Sequence, residues 1–593
     1  MVKTHGTLVY GRNVWGLRAL PYVMIKAKRI FPRGNPASGG TLVLSDTPEV
    51  ARDLEWLLTR YPLEIKATDR DLLSVRAAEH RDTEQLVHEI LTGQRVLDAH
   101  GLEVSAEREH RDYQYVAADL AIATGRLLLT DELGLGKTMS ALLVLRAARA
   151  LPALVVCQTH LPAQWAREIR ATYPGLRVHI VKQMRPYDPA QRRGSTGPPD
   201  VLIVPYSKLR GWSDALAGKV RTVIFDEAQE LRRGASQKWW AAQHVAETAT
   251  YRVGLTATPV YNYAGEIHTL YEVLAPGVLG NRDEFIREWS GSRVRTIGGD
   301  DHVAVADPAA LGVYLREEGL MLRRTRADVG RELPAVVHVP HEIDTDEEAL
   351  DALIAETVDL AELIVSGGDV EPAELPENVT SLAAYRAAQN RAVWVARGDL
   401  DWRLRRATGL AKAPYVAEFV KLLLESDEQV VLFGWHRDVY DVWLSRLAPY
   451  DPALYTGSES PSRKAANAAE FIDGSSRVLI MSLRSGVGLD GLQEVSHLAV
   501  FGELDWAPGT HEQCIGRLQR DGQADPVVAY FLLSEGGTDP LMAEVLNLKR
   551  GQSEPLLNPD QPLLAPAVDN RDRILELARD VLARRRAKQP SLG

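Results

Sequence analysis

Two stretches of the chain repeat one pattern. A short, wholly apolar run bounded by turn residues is followed by a longer segment whose apolar positions recur every three or four residues. Runs apolar on both faces, alternating with amphipathic helices, suit a parallel sheet covered by helices on each side. In the first stretch, Glu107–Glu288, the strand candidates are Leu127–Leu129, Ala153–Cys157, Val201–Val204 and Val223–Phe225. In the second, Ala407 to Arg550, they are Val430–Phe433, Val478–Met481, Leu498–Phe501 and Val527–Leu533.

Ahead of these blocks the period shortens. Gly6–Leu20 reads as a hairpin around Gly11-Arg12-Asn13, with Leu8, Tyr10, Val14 and Leu17 on its arms. A helix follows, with Val23, Ala27 and Ile30 on one face and Lys26, Arg29 and Arg33 on another. A strand at Thr41–Leu44 and a helix at Pro48–Arg60 complete a small α+β unit ending near residue 105, and Glu64–Leu102 is expected to include a linking helix. Residues 289–406 read as helical insertions and an acidic linker. The Pro-rich segment Gly551–Asn570 is expected to be extended. It leads to an amphipathic helix with Ile574, Ala578 and Val581 opposed to Arg573 and Arg584–Arg586. The expected division is therefore 1–105, 106–288, 289–406, 407–550 and 551–593.

At 593 residues the chain exceeds what one core supports. Its apolar runs fall short of the ~18 residues of a membrane span, and Arg12, Asn13 and Arg18 interrupt the first of them, so neither a membrane segment nor a signal peptide is expected. Cys157 and Cys514 are too few for a disulfide framework or a four-ligand zinc site. A soluble, cytosolic protein is expected, and richness in Ala, Arg and Val suits a GC-rich bacterial or phage genome. The net charge of −11 argues against a nucleic-acid partner until it is localised. Glu342–Glu377 holds thirteen Asp or Glu and no Lys or Arg, so the remainder of the chain carries +2 and is free to form local basic grooves.

Candidate chemistry begins at Asp131–Thr138 (DELGLGKT), between the strand candidate Arg126–Thr130 and the helix-like run Met139–Ala150. A strand, a Gly-rich turn with Lys-Thr and a helix form a nucleotide phosphate cradle. The backbone of Leu133, Gly134, Leu135, Gly136, Lys137, Thr138 and Met139 would face the phosphates. Lys137 would reach the outer phosphates and the Thr138 hydroxyl would ligate magnesium. Asp131 stands where such a loop usually begins with Gly. The strand Thr222–Phe225 ends in Asp226-Glu227-Ala228-Gln229. Asp226 would hold the magnesium and Glu227 would polarise the attacking water. An acidic helix cap is the plainer reading of that pair; the cradle upstream favours the chemical one.

This combination resembles superfamily 2 helicases, and more narrowly the Swi/Snf-type ATPases. Arg111-Asp112-Tyr113-Gln114 matches the family segment whose Gln reads adenine. Leu154–Ile169 (LVVCQTHLPAQWAREI) matches the next motif, with Gln164, Trp165 and Glu168 in register. Leu255–Asn262 (LTATPVYN) is similar to motif III, and Leu322–Pro334 (LRRTRADVGRELP) to the arginine-pair segment after the first lobe. Ser482–Leu492 (SLRSGVGLDGL) resembles motif V, with Asp490 where the family generally has Asn. Gln513–Gln523 (QCIGRLQRDGQ) matches motif VI. There Arg517 and Arg520, spaced i and i+3, are expected on one helix face and aimed at one target. An arginine finger at the γ-phosphate is worth roughly 10³–10⁵ in rate in related chemistry. Phe501–Pro508 (FGELDWAP) is similar to the annealing-helicase branch.

The resemblance implies an α/β fold of two RecA-like parallel-sheet lobes with helical insertions and a small N-terminal α+β domain. It implies ATP and Mg as cofactors and DNA, duplex or forked in preference to RNA, as partner, with no membrane association. The expected function is a DNA-dependent ATPase that translocates on DNA. Two other readings stand beside it: a strand-separating DNA or RNA helicase, and a nucleotide-gated scaffold without turnover. DEAD-type RNA enzymes generally carry Asp-Glu-Ala-Asp and a His opening motif VI, where Gln229 and Gln513 stand here. The scaffold reading sits poorly with the joint presence of Lys137, Asp226, Glu227, Arg517 and Arg520. The basic face Lys26, Lys28, Arg29 and Arg33 reads either as a phosphate contact or as a solvated surface. The acidic segment reads as a solvated loop ahead of a DNA mimic.

Overall fold

The computed structural model describes residues 4–97, 101–107, 110–191, 197–257, 265–295, 301–330, 333–366, 382–426, 428–483, 489–548 and 570–588. The N-terminal strands β1 (Gly6–Gly11), β2 (Val14–Ala19), β3 (Asn35–Ala37) and β4 (Thr41–Ser45) form an antiparallel sheet in the order β1-β2-β4-β3. Arg12 and Asn13 make the hairpin turn at φ 54° and 59°, the left-handed pair that matches strand twist across a two-residue loop. Leu8, Trp15, Leu17, Leu42 and Leu44 point to one face and pack on Ala27, Leu54 and Leu57 of the helices Pro21–Ile30 and Pro48–Arg60. The linking helix spans Ala67–Leu91 and serves two cores. Leu73 and Ala77 close the N-terminal one, while Val87 and Ile90 join that of the next sheet.

The next sheet is built from β5 (Arg126–Leu129), β6 (Ala153–Cys157), β7 (Val178–Ile180), β8 (Val201–Pro205), β9 (Thr222–Asp226) and β10 (Tyr251–Leu255). A hairpin of β11 (Ser290–Arg295) and β12 (Asp301–Val305) precedes β13 (Met321–Leu322), which joins this sheet at its edge. The order is β13-β5-β10-β9-β6-β8-β7, every pair parallel. The apolar runs serve both faces, as a doubly covered sheet requires. In β6, Leu154 and Val156 enter one core while Ala153, Val155 and Cys157 enter the other.

A second parallel sheet contains β14 (Val336–Glu342), β15 (Val430–Gly434), β16 (Ala453–Tyr455), β17 (Val478–Ser482), β18 (Leu498–Phe501) and β19 (Val527–Leu533), in the order β14-β19-β18-β15-β17-β16. The protein thus has two parallel-sheet α/β lobes and a small antiparallel N-terminal sheet.

Four expectations are corrected. The helix expected over Met139–Ala150 is shorter: Lys137–Leu143 is α-helical and Val144–Arg146 tightens to a 3₁₀ turn. Arg146 is pulled there into an ion pair with buried Asp119. Residues 289–406 are not helical insertions alone, since β11 to β14 lie among them; β14 is an edge strand carrying Pro340 and polar residues, so its apolar signal is weak. The acidic stretch is largely not a solvated loop. Glu347–Ala355 and Val358–Val365 are helices whose Leu350, Ile354, Ala361 and Ile364 pack with Leu400 and Leu404 of the long helix Leu382–Glu425. Ala578 and Val581 of the C-terminal helix Asn570–Lys588 complete that cluster, and Arg584 and Arg585 pair with Asp351 and Glu362. The acidic side chains therefore receive the basic tail helix. The part of the stretch at 367–377 lies outside the described residues, as does the Pro-rich segment 551–569.

Finally, the basic face divides. Lys26, Lys28 and Arg29 are exposed. Arg33 instead donates to Glu288 at 2.5 Å and to the Val278 carbonyl at 3.0 Å. It docks the N-terminal unit onto the first lobe.

Candidate nucleotide site

β5 runs directly into the loop expected to cradle phosphate. Thr130 and Asp131 are fully buried, and the chain then turns through Gly134 and Gly136 at φ +88° and +73°. Gly136 suits its left-handed φ of +73°, and a Cβ there would also press on Gln114 Nε2. Lys137 opens the helix, Thr138 is half-buried and Met139 buried behind it. The Lys137 ammonium donates to the carbonyls of Asp131 at 2.6 Å and Glu132 at 3.3 Å. Burial pushes its pKa down to about 8, against the pull of Asp131 and Glu227. A desolvated ammonium held by carbonyls is poised for a stronger, anionic partner.

The segment Leu322–Pro334 explains why Asp131 replaces the usual Gly. Arg324 grips the Asp131 carboxylate through its backbone N–H at 3.0 Å, Nε at 3.1 Å and Nη2 at 2.5 Å, donates to the Tyr113 carbonyl and lies over the Tyr113 ring at 5.2 Å. Arg323 donates to the Thr130 carbonyl at 2.7 Å. On the opposite side of the loop, Tyr113 OH and Gln114 Nε2 donate to the Leu135 carbonyl at 3.0 and 3.2 Å. Gln114 Oε1 accepts from Arg111 N–H at 3.0 Å. In this conformation Gln114 braces the loop itself.

The Asp131–Arg324 pair yields a stability prediction. Asp131 is 0% and Arg324 12% exposed at the side chain, so Arg324→Ala strands a buried carboxylate and should cost about 3–5 kcal/mol. Thermal unfolding of the first lobe should drop clearly in this variant, and far less in an Asp131→Leu/Arg324→Met double variant. Equal losses in both would remove the pairing argument.

β9 carries the carboxylates to the same edge of the sheet. Asp226 Oδ2 accepts from Trp165 Nε1 at 2.8 Å, which orients it. Glu227 adopts a left-handed φ of 52°, a conformation costing of order 1–3 kcal/mol that aims its side chain off the strand end. Gln229 Nε2 donates to Glu227 Oε2 at 2.5 Å. Burial raises the pKa of both acids, and Glu227 raises that of Asp226 further, while Lys137 opposes both shifts. Among the described residues no cluster of three or more His, Cys, Asp or Glu could hold a metal ion.

The second lobe supplies Arg517. The helix Pro508–Ile515 ends before it, so Arg517 and Arg520 sit on the turn that follows and do not share a helix face. The helix ends at Ile515, and Arg520 still lies near enough to Arg517 to oppose its charge. Arg517 is buried, drawn electrostatically to Glu227 and close to Tyr455. Arg520 donates to the carbonyls of Gly516 and Leu489, both at 3.1 Å, and to Asp490 Oδ1 at 3.3 Å. Lys137, Asp226, Glu227 and Arg517 influence one another's charge, and Arg520, beside Arg517, braces the segment around Asp490. Of the remaining motifs, 258–262 of LTATPVYN and 484–488 of SLRSGVGLDGL lie outside the described residues.

Sequence reasoning left Asp131, Tyr113, Trp165, Gln229, Arg324 and Arg326 out of the site. The signal lay in the motifs that contain them. An arginine-rich segment after the first lobe, facing an acid at the head of the phosphate loop, is a charge pairing readable before any coordinates.

Comparison with known proteins places these motifs. A family model described as the SNF2-related domain matches residues 52–352. The SWI/SNF-related matrix-associated actin-dependent regulator of chromatin subfamily A-like protein 1 of Drosophila melanogaster is 26% identical over 434 residues, covering 72% of this chain and 53% of that protein. The DNA annealing helicase and endonuclease ZRANB3 of Mus musculus is 25% identical over 466 residues, covering 76% and 41%. The chain spans about half the length of the curated relatives it matches. Among solved structures, the Sulfolobus solfataricus SWI2/SNF2 ATPase core in complex with dsDNA aligns with a TM-score of 0.35 at 19% identity, covering 79% of this chain and 96% of that one. With that family model matching just over half of the chain, the chain belongs to the SNF2-related family.

Proposed function

We propose that the chain is an ATP-dependent motor that moves along duplex or forked DNA, hydrolysing ATP where its two lobes meet. The observation that carries this reading is the meeting of the phosphate loop with the turn that bears Arg517, where Leu133 of the first lobe packs on Gly516 of the second. Family membership and the relatives' names support DNA as the partner. The lobes divide between β13, the last strand of the first sheet, and β14, the first of the second.

In this mechanism the loop Leu133–Met139 holds the phosphates and Lys137 neutralises the outer ones. Thr138 and Asp226 would hold magnesium, which when bound would supply positive charge against the phosphates. Glu227 accepts the proton of the attacking water, for which its raised pKa equips it. Arg517 balances charge building on the γ-phosphate, so turnover requires the lobes to be together. Gln114 would read the adenine edge once nucleotide competes for its contact with the loop. Glu227→Gln should then bind ATP as the wild type does while hydrolysing it at least about 10²-fold more slowly. A fluorescent-nucleotide titration beside the ATPase rate checks this, and parallel loss of both would assign Glu227 a structural role.

A triplex-displacement assay tests the motor. The chain should strip a third strand from an intact duplex in an ATP-dependent manner, without separating the two strands beneath. Unwinding of a flush duplex would select the strand-separating reading, and activity confined to RNA would select an RNA helicase. ATP consumption with no displacement in either assay would leave the chain without the proposed motor activity.

A further inference from the structure

The segment between the lobes touches the phosphate loop and the arginine segment at once. Arg326, 9% exposed, donates through Nη2 to the Leu133 carbonyl at 2.8 Å and to the Gln519 carbonyl at 3.3 Å. Its Nη1 pairs with Glu132 at 3.3 Å and its backbone N–H donates to the same carboxylate at 2.8 Å. One guanidinium therefore spans from the tip of the loop on the first lobe to the residue two positions beyond Arg517 on the second. Two neighbouring contacts strengthen the seam. Gln519 Nε2 donates to the Pro334 carbonyl at 2.9 Å, just ahead of β14. Leu133 packs on Gly516, where a Cβ would meet Leu133 Cδ1 at 2.8 Å.

From this we infer that Arg326 is a positioning residue: it fastens the phosphate loop to the Gly516–Arg520 turn, so that the loop's conformation sets where Arg517 stands. The inference rests on the motor reading above and adds to it the path by which the phosphate loop governs the arginine of the other lobe. The planar fork suits the task because it can address carbonyls from two directions while paired with Glu132. The chain of contacts is short: Leu133, Arg326, Gln519 and Arg517 are joined by hydrogen bonds and backbone alone. A group that organises the transition state without holding the ground state should alter turnover and leave nucleotide affinity unchanged.

The test uses the full chain as wild type, Arg326→Ala, Arg326→Lys and Gly516→Ala, with saturating duplex DNA. Arg326→Ala should lower kcat about tenfold or more with the KM for ATP within about twofold, and Arg326→Lys should recover much of the loss. Gly516→Ala, which wedges the same seam without touching Arg326, should lower kcat in the same direction. A second readout needs no nucleotide. Small-angle scattering should find the Arg326→Ala chain more extended than the wild type, and Arg326→Lys close to it. Wild-type kcat in Arg326→Ala overturns the inference, as does a loss of ATP affinity matching the loss of turnover. An unchanged scattering profile in Arg326→Ala overturns it too. A wild-type chain without ATPase activity would instead defeat the motor reading, which keeps the two failures distinct.

Discussion

Lys137→Ala should bring ATP hydrolysis to background with the protein still folded. The residue is half-buried, and desolvation pushes its pKa down to about 8. Its present partners are the Asp131 and Glu132 carbonyls; losing that donor costs folding roughly 1–3 kcal/mol at most. Losing a preorganised donor to charge in the transition state costs at least about 10² in rate. Steady-state ATPase rates beside a thermal melt separate the two quantities. Turnover near the wild-type rate in a folded variant would mean that the loop does not serve phosphate.

Arg517→Lys is the second large effect. The residue is buried on the second lobe, and Glu227 of the first lobe is among the groups that favour its charge. Lysine retains the charge but offers one compact ammonium in place of a planar fork, so ATP should still bind while DNA-stimulated turnover falls by roughly 10³. Arg520→Lys should cost much less, because Arg520 is committed to Asp490 and the Leu489 carbonyl. Single-turnover hydrolysis with nucleotide binding measured in parallel checks both. An Arg520→Lys loss as deep as that of Arg517→Lys would restore the picture of two arginines on one target.

The contrast between those arginines marks where sequence reading ends. The interior strands were legible because a strand covered on both faces must be apolar along its buried length, as β6, β15 and the Val223–Phe225 stretch of β9 are. Edge strands obey no such rule: β7, β13 and β16 are two or three residues long, and β14 carries Pro340, His338 and His341. The acidic stretch misled because charge counts are blind to phase; Leu350, Ile354, Ala361 and Ile364 recur at helical spacing between the acids. Lys137, Asp226 and Glu227 were legible because their chemistry is local to a strand end. Arg517 and Arg520 share that spacing, yet Gly516 ends the helix, and a turn sends equal side chains to different partners. Arg324 and Arg326 were visible as a motif and silent as to role, since their partners Asp131, Leu133 and Gln519 come from elsewhere in the chain.

The proposed motor requires DNA-coupled hydrolysis at a site shared between the lobes. The most direct test is the ATPase rate of the purified chain with and without plain duplex DNA, repeated at low and moderate salt. The rate should rise many-fold with duplex DNA, and the stimulation should fall steeply with salt as phosphate contacts give way to counterions. A rate indifferent to duplex DNA, or raised by RNA alone, would contradict it.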